Sequence, residues 1–224
     1  MEMTIDKRKN YIMLLDTETA GSLANPLVYD FGCVIIDKQG KVYESYRAAV
    51  REVITSRHMN TAYYAEKIPQ YWEMIRGGQL PLVSFWRVKR TVWELIKKYN
   101  IKQVCAHNAN FDYKALANTQ KVLAAGVQVT EFFPVGVSVW DTLLMAKKYF
   151  KDECKSYRKY CEKYDYLTKR GEVRLTAEIL YRYISGRNDF IESHTALDDC
   201  MIEKEILAYF FRRKKKMEKV LIAR

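Results

Sequence analysis

Apolar residues in the first half of the chain form short continuous runs and one stretch with helical spacing. Residues 11–15 are a continuous apolar run, which is typical of a strand buried on both faces. Two longer runs, at 27–36 and 42–50, flank a turn-like Asp-Lys-Gln-Gly, so the three segments predict a meander of strands. The apolar positions of residues 85–99 recur with helical spacing and predict a helix, followed by a strand at 101–106.

The remaining segments continue this alternation of helices and strands. They are short helices at 56–78 interrupted near Pro69, a strand at 137–140 with a helix at 142–150, a helix between an N-cap at Thr176 and Gly186, and a final helix from Thr195 to about residue 216. Strands first and alternating elements afterwards predict an α/β or α+β sheet covered by helices.

The composition excludes several classes of protein. Of 224 residues, 49% are hydrophobic and 13% aromatic, which excludes collagen-like, low-complexity and disordered chains. Apolar runs such as 31–36 are far shorter than the roughly 18 residues that a membrane span needs. Residues 1–10 are charged and lack the apolar stretch of a secretory signal, so we expect a cytoplasmic protein. Five cysteines without a Cys-x-x-Cys pair favour free thiols in a reducing compartment.

The positive charge is concentrated in two segments. The net charge is +11, and residues 147–174 contain ten basic and five acidic residues with six aromatic residues among them. Cations next to aromatic rings are typical of a groove that binds single-stranded nucleic acid, although a solvated basic helix has the same composition. Residues 212–219 contain six basic residues and one acidic residue, and basic residues there also complement a helix dipole.

The length favours one domain with appendages, because 224 residues are close to the size of a single domain. We expect this domain over residues 1–211 and a basic C-terminal tail at 212–224. Within the domain, residues 151–173 are rich in Tyr, Lys and Cys without a clean period, so they predict a mobile or inserted element.

Acidic residues follow two of the predicted strands. Asp16 and Glu18 come directly after the first apolar run, and side chains two residues apart point to the same face of a strand. Adjacent carboxylates repel each other, and a divalent ion with oxygen ligands compensates for that repulsion. Asp112 follows the strand at 101–106 and falls in the first turn of a helix, where the helix dipole favours an acid even without a metal.

His194 and Asp199 flank the start of the final helix. Thr195 and Asp198 have the spacing of a capping box, which leaves Asp199 free to face a site. A His in the loop before the helix can reach a metal-bound water, and its ordinary pKa suits a general base near neutral pH. A single His is more often structural or merely exposed, so this pair carries weight only together with the other acids.

Together these segments resemble the DEDDh family of 3′-to-5′ exonucleases, which includes the epsilon-type proofreading subunits, RNase T and oligoribonuclease. The family pattern is Asp-x-Glu on the first strand, an Asp after a later strand, and a His with four intervening residues before a last Asp. The matching residues, within about 11–208, are Asp16, Glu18, Asp112, His194 and Asp199. The sister subfamily has a Tyr where this chain has Thr195, so the His variant is favoured. Residues 176–199 also resemble phage-encoded exonucleases.

The resemblance implies an RNase H-like fold, which is a mixed sheet flanked by helices with the acids at one end of the sheet. It also implies two Mg²⁺ or Mn²⁺ ions, with Asp16 bridging them, Glu18 and Asp199 holding the ion with the attacking water, and Asp112 supporting the other. His194 would take the proton from that water, and the product would be a 5′-mononucleotide. All four ligands are carboxylates, which favour hard cations over zinc.

The expected substrate is nucleic acid with a single-stranded 3′ end, DNA first, with a polymerase or another replication protein as a partner and proofreading as the setting. The candidates for binding the substrate are Phe111, Asn108, Lys155, Arg158 and Lys159, with Lys163 beside them. An aromatic core position and a strand-to-helix turn are the alternative interpretations of Phe111 and Asn108. Asp141 is expected to begin a helix rather than to join the site.

Two other functions are compatible with the same residues. An RNA-trimming exoribonuclease would carry the same acids, because the 2′-hydroxyl is recognised by contacts that the sequence does not locate. A replication accessory protein could keep the fold without catalysis, but it would have no reason to retain carboxylates that repel one another.

Overall fold

A seven-stranded mixed sheet forms the centre of the molecule. The computed structural model describes residues 5–6, 8–62, 64–213 and 218–220, with the backbone alone at 152 and 218–220. The strands are β1 (Ile12–Ser22), β2 (Asn25–Ile36), β3 (Val42–Val50), β4 (Leu82–Val83), β5 (Gln103–Ala106), β6 (Ser138–Asp141) and β7 (Glu218–Val220). Their order across the sheet is β4-β3-β2-β1-β5-β6-β7.

The pairing combines an antiparallel meander with parallel strands. β1, β2 and β3 pair antiparallel, which confirms the predicted meander. β5 runs parallel to β1, β6 runs parallel to β5, and β4 runs parallel to β3, while β7 is antiparallel to β6. The sheet is therefore mixed and flanked by helices, as expected.

Eight α-helices connect and cover the strands of the described chain. They are α1 (Arg51–Ile54), α2 (Ile68–Arg76), α3 (Phe85–Tyr99), α4 (Ala109–Leu123), α5 (Thr142–Ala146), α6 (Lys155–Lys163), α7 (Ala177–Ser185) and α8 (Ala196–Arg212). Short 3₁₀ turns occupy Arg57–Thr61 and Ala65–Lys67, and a π-helical segment, Lys147–Glu153, follows α5. Among the described helices, none combines the length and the apolar character that a membrane-spanning segment requires.

The two faces of the sheet are covered by different helices. On β1, Met13 and Leu15 belong to the hydrophobic cluster that contains the buried residues of α3 and α4. Ile12 and Leu14 point to the other face, where they pack with Leu207 of α8. A third cluster joins the apolar sides of α5, α6, α7 and α8 outside the sheet. Each face of β1 is therefore buried, as its continuous apolar run predicts.

Several element boundaries differ from the prediction. β1 does not end at residue 15 but continues to Ser22, because its pairing with β2 goes on through the polar residues. The short helices predicted at 56–78 are present, and the boundary between the turn at Ala65–Lys67 and α2 falls just before Pro69, which lies in the first turn of α2, where its missing N–H costs no hydrogen bond. The helix predicted at 142–150 is α-helical only to Ala146 before the π-helical segment begins. α8 ends at Arg212, and residues 214–216, which the prediction included, lie outside the described residues.

The segment at 151–173, predicted as a mobile or inserted element, packs against neighbouring helices. Tyr157 and Cys161 of α6 are buried in the cluster shared with α7 and α8, and Leu167 forms a bridge with Val173 that closes the following loop. The predicted stacking surface is wrong for three of its rings, because Tyr149, Phe150 and Tyr157 are buried. Of the predicted tail at 212–224, the side chains beyond Arg213 lie outside the described residues.

Candidate active site

Asp16 and Glu18 lie within β1, where this strand separates from β5. The pairing of β1 with β5 stops at Leu14, whereas its pairing with β2 continues to the end of the strand. Both acids have the same alternation as Ile12 and Leu14, so their side chains point to the face covered by α8. A β-bulge follows Glu18, a feature that is frequent next to active sites. Asp16 and Glu18 therefore lie on the same face of β1, as the sequence predicts.

Asp112 is buried in the first turn of α4, directly after β5. It occupies the predicted position, and its Oδ1 accepts a hydrogen bond of 2.8 Å from the hydroxyl of Thr17. Thr17 lies between the two acids of β1 and points to the opposite face, where α4 packs. This bond links the β1 acids to the start of α4 through a residue that the sequence did not single out.

The third group of site residues depends on a close approach between α8 and β2. A Cβ atom on Gly32 would lie 2.4 Å from the carbonyl carbon of Ala196 and from the nitrogen of Leu197. Only a residue without a side chain allows this contact, and Gly32 is paired with Asp16 in the sheet. The start of α8 therefore lies directly against the strand next to the β1 acids.

Asp30 of β2 forms a hydrogen bond to the first residue of α8. Its Oδ2 accepts the N–H of Ala196 at 3.0 Å and the hydroxyl of Tyr71 at 2.8 Å, and Asp30 is opposite Glu18 in the register of β1 and β2. Burial raises the pKa of Asp30 to about 6. Asp30 is a further acid of this region that the sequence pattern does not connect with the site, because its contacts with Tyr71 and Ala196 join segments that are far apart in the chain.

His194 lies in the loop immediately before α8, as predicted. Its backbone has a positive φ of 51°, an uncommon conformation for a residue other than glycine. The ring stacks on Tyr64 with 4.1 Å between centroids, and its Nδ1 lies 3.7 Å from Oε2 of Glu192. One ligand atom each of Glu18, His194 and Asp199 lies within 4.8 Å of the other two. The structure therefore brings together residues that are far apart in the chain.

The carboxylates of the site repel one another in a poorly hydrated space. Burial, and next the charge of Asp112, raise the pKa of Asp16 well above its ordinary value. Burial and then Asp199 raise the pKa of Glu18 to about 9, and burial and then Glu192 raise that of Asp199 to about 8. Burial raises the pKa of Asp112 to about 7 against the opposing hydrogen bond from Thr17. This is an arrangement that a bound cation would stabilise.

The donors that these acids offer fit a divalent metal ion. Asp199 Oδ1 is buried without a hydrogen-bond partner, so it is available to a cation. The acids supply only oxygen atoms, which is the ligand type of Mg²⁺ and Mn²⁺. Lys67 lowers the pKa of Glu18 and of Asp199, but burial and the neighbouring acids outweigh it. We conclude that Asp16, Glu18, Asp112 and Asp199 are suited to hold a hard cation.

Three other predicted positions have structural contacts. Asp141 is the N-cap of α5, and its Oδ1 accepts the N–H groups of Leu143, Leu144 and Asn108, which confirms its predicted role at a helix start. Asn108 itself lines the cleft next to Asp16 and has the left-handed conformation of a tight turn. Phe111 is half-buried in the first turn of α4, one residue before Asp112.

Thr195 and Asp198 do not form the predicted capping box. The hydroxyl of Thr195 donates to Oδ2 of Asp198 at 2.9 Å, so it caps no backbone N–H of α8. Asp198 is exposed and also accepts a hydrogen bond from Ser193, whereas Asp199 is buried. The predicted division of roles between the two acids stands, although the bond that supports it is between side chains.

A cleft of about 950 Å³ opens next to Asp16, and its cations differ from those predicted. The basic residues that line it are Lys147, Lys148, Lys151 and Arg174. Lys155, Arg158 and Lys159 are exposed on α6 but do not line this cleft, and Arg158 pairs with Glu162 at 3.0 Å. Sequence composition located the basic segment, but it could not indicate which of its side chains face the acids.

Glu203 is another acid of this site that the sequence pattern does not indicate. It is 2% exposed, lies one turn after Asp199 on α8, and lines the cleft with Asp16. The available signal was the spacing of four residues from Asp199, which places both acids on one face of a helix. That signal is weak without knowledge of which face is buried.

No protein-family model matches this sequence, and no curated protein matches it. Solved structures do share its fold. A full-length 3′-exonuclease matches 94% of this chain and 85% of its own, with a TM-score of 0.62 at 12% identity. A 3′-exonuclease that recognises the 3′ end of a histone mRNA stem-loop matches 97% of this chain and 69% of its own, with a TM-score of 0.59 at 12% identity.

A third similar structure is Pop2p of S. pombe in its Mg²⁺- and Mn²⁺-bound form. It matches 92% of this chain and 84% of its own, with a TM-score of 0.50 at 11% identity. Similarity at this level of identity shows the fold. The chain has the RNase H-like α/β fold of these 3′-exonucleases, which confirms the predicted fold class.

Proposed function

We propose that this protein is a metal-dependent 3′-to-5′ exonuclease that releases 5′-mononucleotides from single-stranded 3′ ends, of DNA in the first instance. The convergence of four acids from β1, α4 and α8 next to His194 carries the proposal. Burial and repulsion from neighbouring acids raise the pKa values of these four carboxylates. Their ionised forms therefore destabilise the folded protein unless a bound cation compensates for the charge. The shared fold with 3′-exonucleases supports the same activity.

The acids and the histidine have separate tasks in this proposal. Asp16, Glu18, Asp112 and Asp199 would hold two divalent ions, which when bound stabilise charge on the attacking and leaving oxygens at phosphorus. His194 accepts a proton from the attacking water. Burial and then the charge of Lys67 lower the pKa of His194, so its ring is neutral and able to accept that proton near pH 7. The oxygen of the attacking water bonds to phosphorus, the bond from phosphorus to the 3′-oxygen of the penultimate nucleotide breaks, and this 3′-oxygen takes up a proton from solvent.

The cleft next to Asp16 supplies the contacts to the nucleic-acid strand. The cleft is lined by Lys147, Lys148, Lys151 and Arg174. In this proposal these cations neutralise phosphates as the 3′ end reaches Asp16. Phe111 and Asn108 are our candidates for contacts to the terminal nucleotide. A polymerase partner, a role in proofreading and a separate tail at 212–224 stay predictions from the sequence resemblance.

The test compares two neighbouring acids of α8. The 5′-labelled single strands of DNA and RNA, identical in sequence, are incubated with Mg²⁺ or with EDTA. Asp199→Asn should abolish the ladder that shortens from the 3′ end, because the amide removes one charged ligand at constant size. Asp198→Asn, the matched control, should retain the ladder, since its amide oxygen still accepts the hydrogen bonds of Thr195 and Ser193.

Each outcome of this comparison selects one function. A Mg²⁺-dependent ladder on DNA supports the proposal, and a ladder on RNA alone identifies an exoribonuclease instead. Binding of both strands without cleavage, in Mg²⁺ and in Mn²⁺, would identify the accessory protein. Equal loss of activity in the two variants would refute the assignment of Asp199 as the ligand.

Two double variants that remove equal charge test where single-stranded nucleic acid binds on the protein. In the non-cleaving Asp199→Asn background, Lys147→Gln/Lys148→Gln should reduce the salt slope of single-strand binding by roughly 1.4, since each phosphate contact contributes about 0.7. Lys155→Gln/Lys159→Gln should leave the slope unchanged, because these lysines of α6 do not line the cleft. A larger reduction of the salt slope in Lys155→Gln/Lys159→Gln than in Lys147→Gln/Lys148→Gln would instead place the binding surface on α6, as predicted from the sequence.

A further inference from the structure

Glu203 is buried deep in the same cleft although no part of the sequence pattern requires an acid there. Its side chain is 2% exposed, and it lines the cleft together with Asp16. It lies four residues after Asp199 on α8, so the two carboxylates are on one face of the helix. This face is the one that packs against β1 and β2.

The two carboxylate oxygens of Glu203 have different surroundings. Oε1 accepts the backbone N–H of His107 at 3.2 Å, at the turn between β5 and α4. Oε2 is buried and has no hydrogen-bond partner. His107 lies in the turn that leads into α4, and the first turn of α4 contains Asp112, so this bond places Glu203 beside the start of that helix.

A purely structural role does not account for a glutamate at this position. Glutamine has the same size, and its amide oxygen would accept the His107 N–H equally well. The glutamate adds a buried charge next to other carboxylates, which is unfavourable unless a cation compensates for it. A role limited to accepting the His107 N–H therefore does not explain why Glu203 Oε2 is buried without a partner.

We propose that Glu203 is a fifth carboxylate of the metal site and that its Oε2 serves as an additional oxygen donor to the ion held by Asp16 and Asp112. The inference rests on the proposed function, because it takes these two acids to be metal ligands. A fifth carboxylate increases the negative charge that attracts the divalent ions, so the chain should bind Mn²⁺ more tightly than four acids alone would allow.

The experiment measures Mn²⁺ binding to the full chain by titration calorimetry, without any nucleic acid. Glu203→Gln keeps the side-chain volume and the acceptor for the His107 N–H, and it removes the charge. We expect its Mn²⁺ affinity to fall by at least about 10-fold to 100-fold, because the loss of a group that only supports a ligand already costs that much. Glu205→Gln is the matched control on the same helix, where Glu205 pairs with Lys204, and it should bind within about twofold of the unaltered protein.

Thermal unfolding with EDTA and with Mn²⁺ gives a second readout for a variant that folds less well. The rise in melting temperature that Mn²⁺ causes should shrink in Glu203→Gln and persist in Glu205→Gln. The inference about Glu203 would be wrong, and the proposed function would stand, if Glu203→Gln binds Mn²⁺ as tightly as the unaltered chain. The same holds if this variant loses stability equally with and without Mn²⁺. An unaltered chain that binds no Mn²⁺ would instead remove the proposed function and this inference with it.

Discussion

Replacing Gly32 with alanine should disable the site without touching any of its acids. The new Cβ would lie 2.4 Å from the backbone of Ala196 and Leu197. Carbon atoms pack at about 3.5 to 4.0 Å, so the start of α8 has to move away from β2 by roughly 1 Å. Both contact atoms belong to the backbone, so no side-chain rotation can relieve the overlap.

The displacement carries His194 and Asp199 away from the acids of β1. Overpacking of this kind costs typically about 1 to 3 kcal/mol, which for a chain of this length corresponds to a melting temperature lower by about 2 to 12 °C. A misplacement of about 1 Å at a reacting centre lowers the rate by about 100-fold. We therefore expect Gly32→Ala to reduce the exonuclease rate far more than its loss of folded protein explains.

The assay follows the rate of 3′-end shortening at a temperature where the variant is fully folded, as judged by a circular dichroism melt. Gly77→Ala is the control, because a Cβ there would meet its nearest atoms, Gln79 Oε1 and Glu73 O, at 3.2 Å, and Gly77 also has a negative φ. Normal activity and an unchanged melting temperature in Gly32→Ala would refute the proposed contact between α8 and β2.

Two further predictions concern the histidine and the buried acids. His194→Ala should lower the rate by about 100-fold to 10,000-fold while Mn²⁺ binding persists, whereas His58→Ala, in an exposed 3₁₀ turn, should leave the rate unchanged; a fully active His194 variant at neutral pH would contradict its role as the base. In EDTA, the free energy of unfolding should rise as the pH falls from about 9 towards 5, because Glu18 and Asp199, with pKa values of about 9 and 8, bind protons in the folded state that the unfolded chain binds only at lower pH. Urea unfolding measures this trend, Mg²⁺ should flatten it, and a stability that increases with pH in EDTA would contradict it.

The sequence predicted the order of elements well where the pattern is local. The helix at 85–99 and the helix between Thr176 and Gly186 follow from spacing and caps, and the structure has both. The end of β1 was misplaced because polar residues replace the apolar run, while pairing with β2 continues regardless of side-chain polarity. Composition predicts a stacking surface from the aromatic residues of 147–174, because it does not distinguish a buried ring from an exposed one, and Tyr149, Phe150 and Tyr157 are buried.

What the sequence alone determined is the identity of the acids and their local geometry, because backbone periodicity puts Asp16 and Glu18 on one face of a strand. Tertiary structure decided the rest of the site. The contact between Gly32 and Ala196, the anchoring of α8 by Asp30 and the burial of Glu203 join residues that are far apart in the chain. Such contacts depend on how helices pack across a sheet, and no spacing within one segment encodes which face the packing will bury.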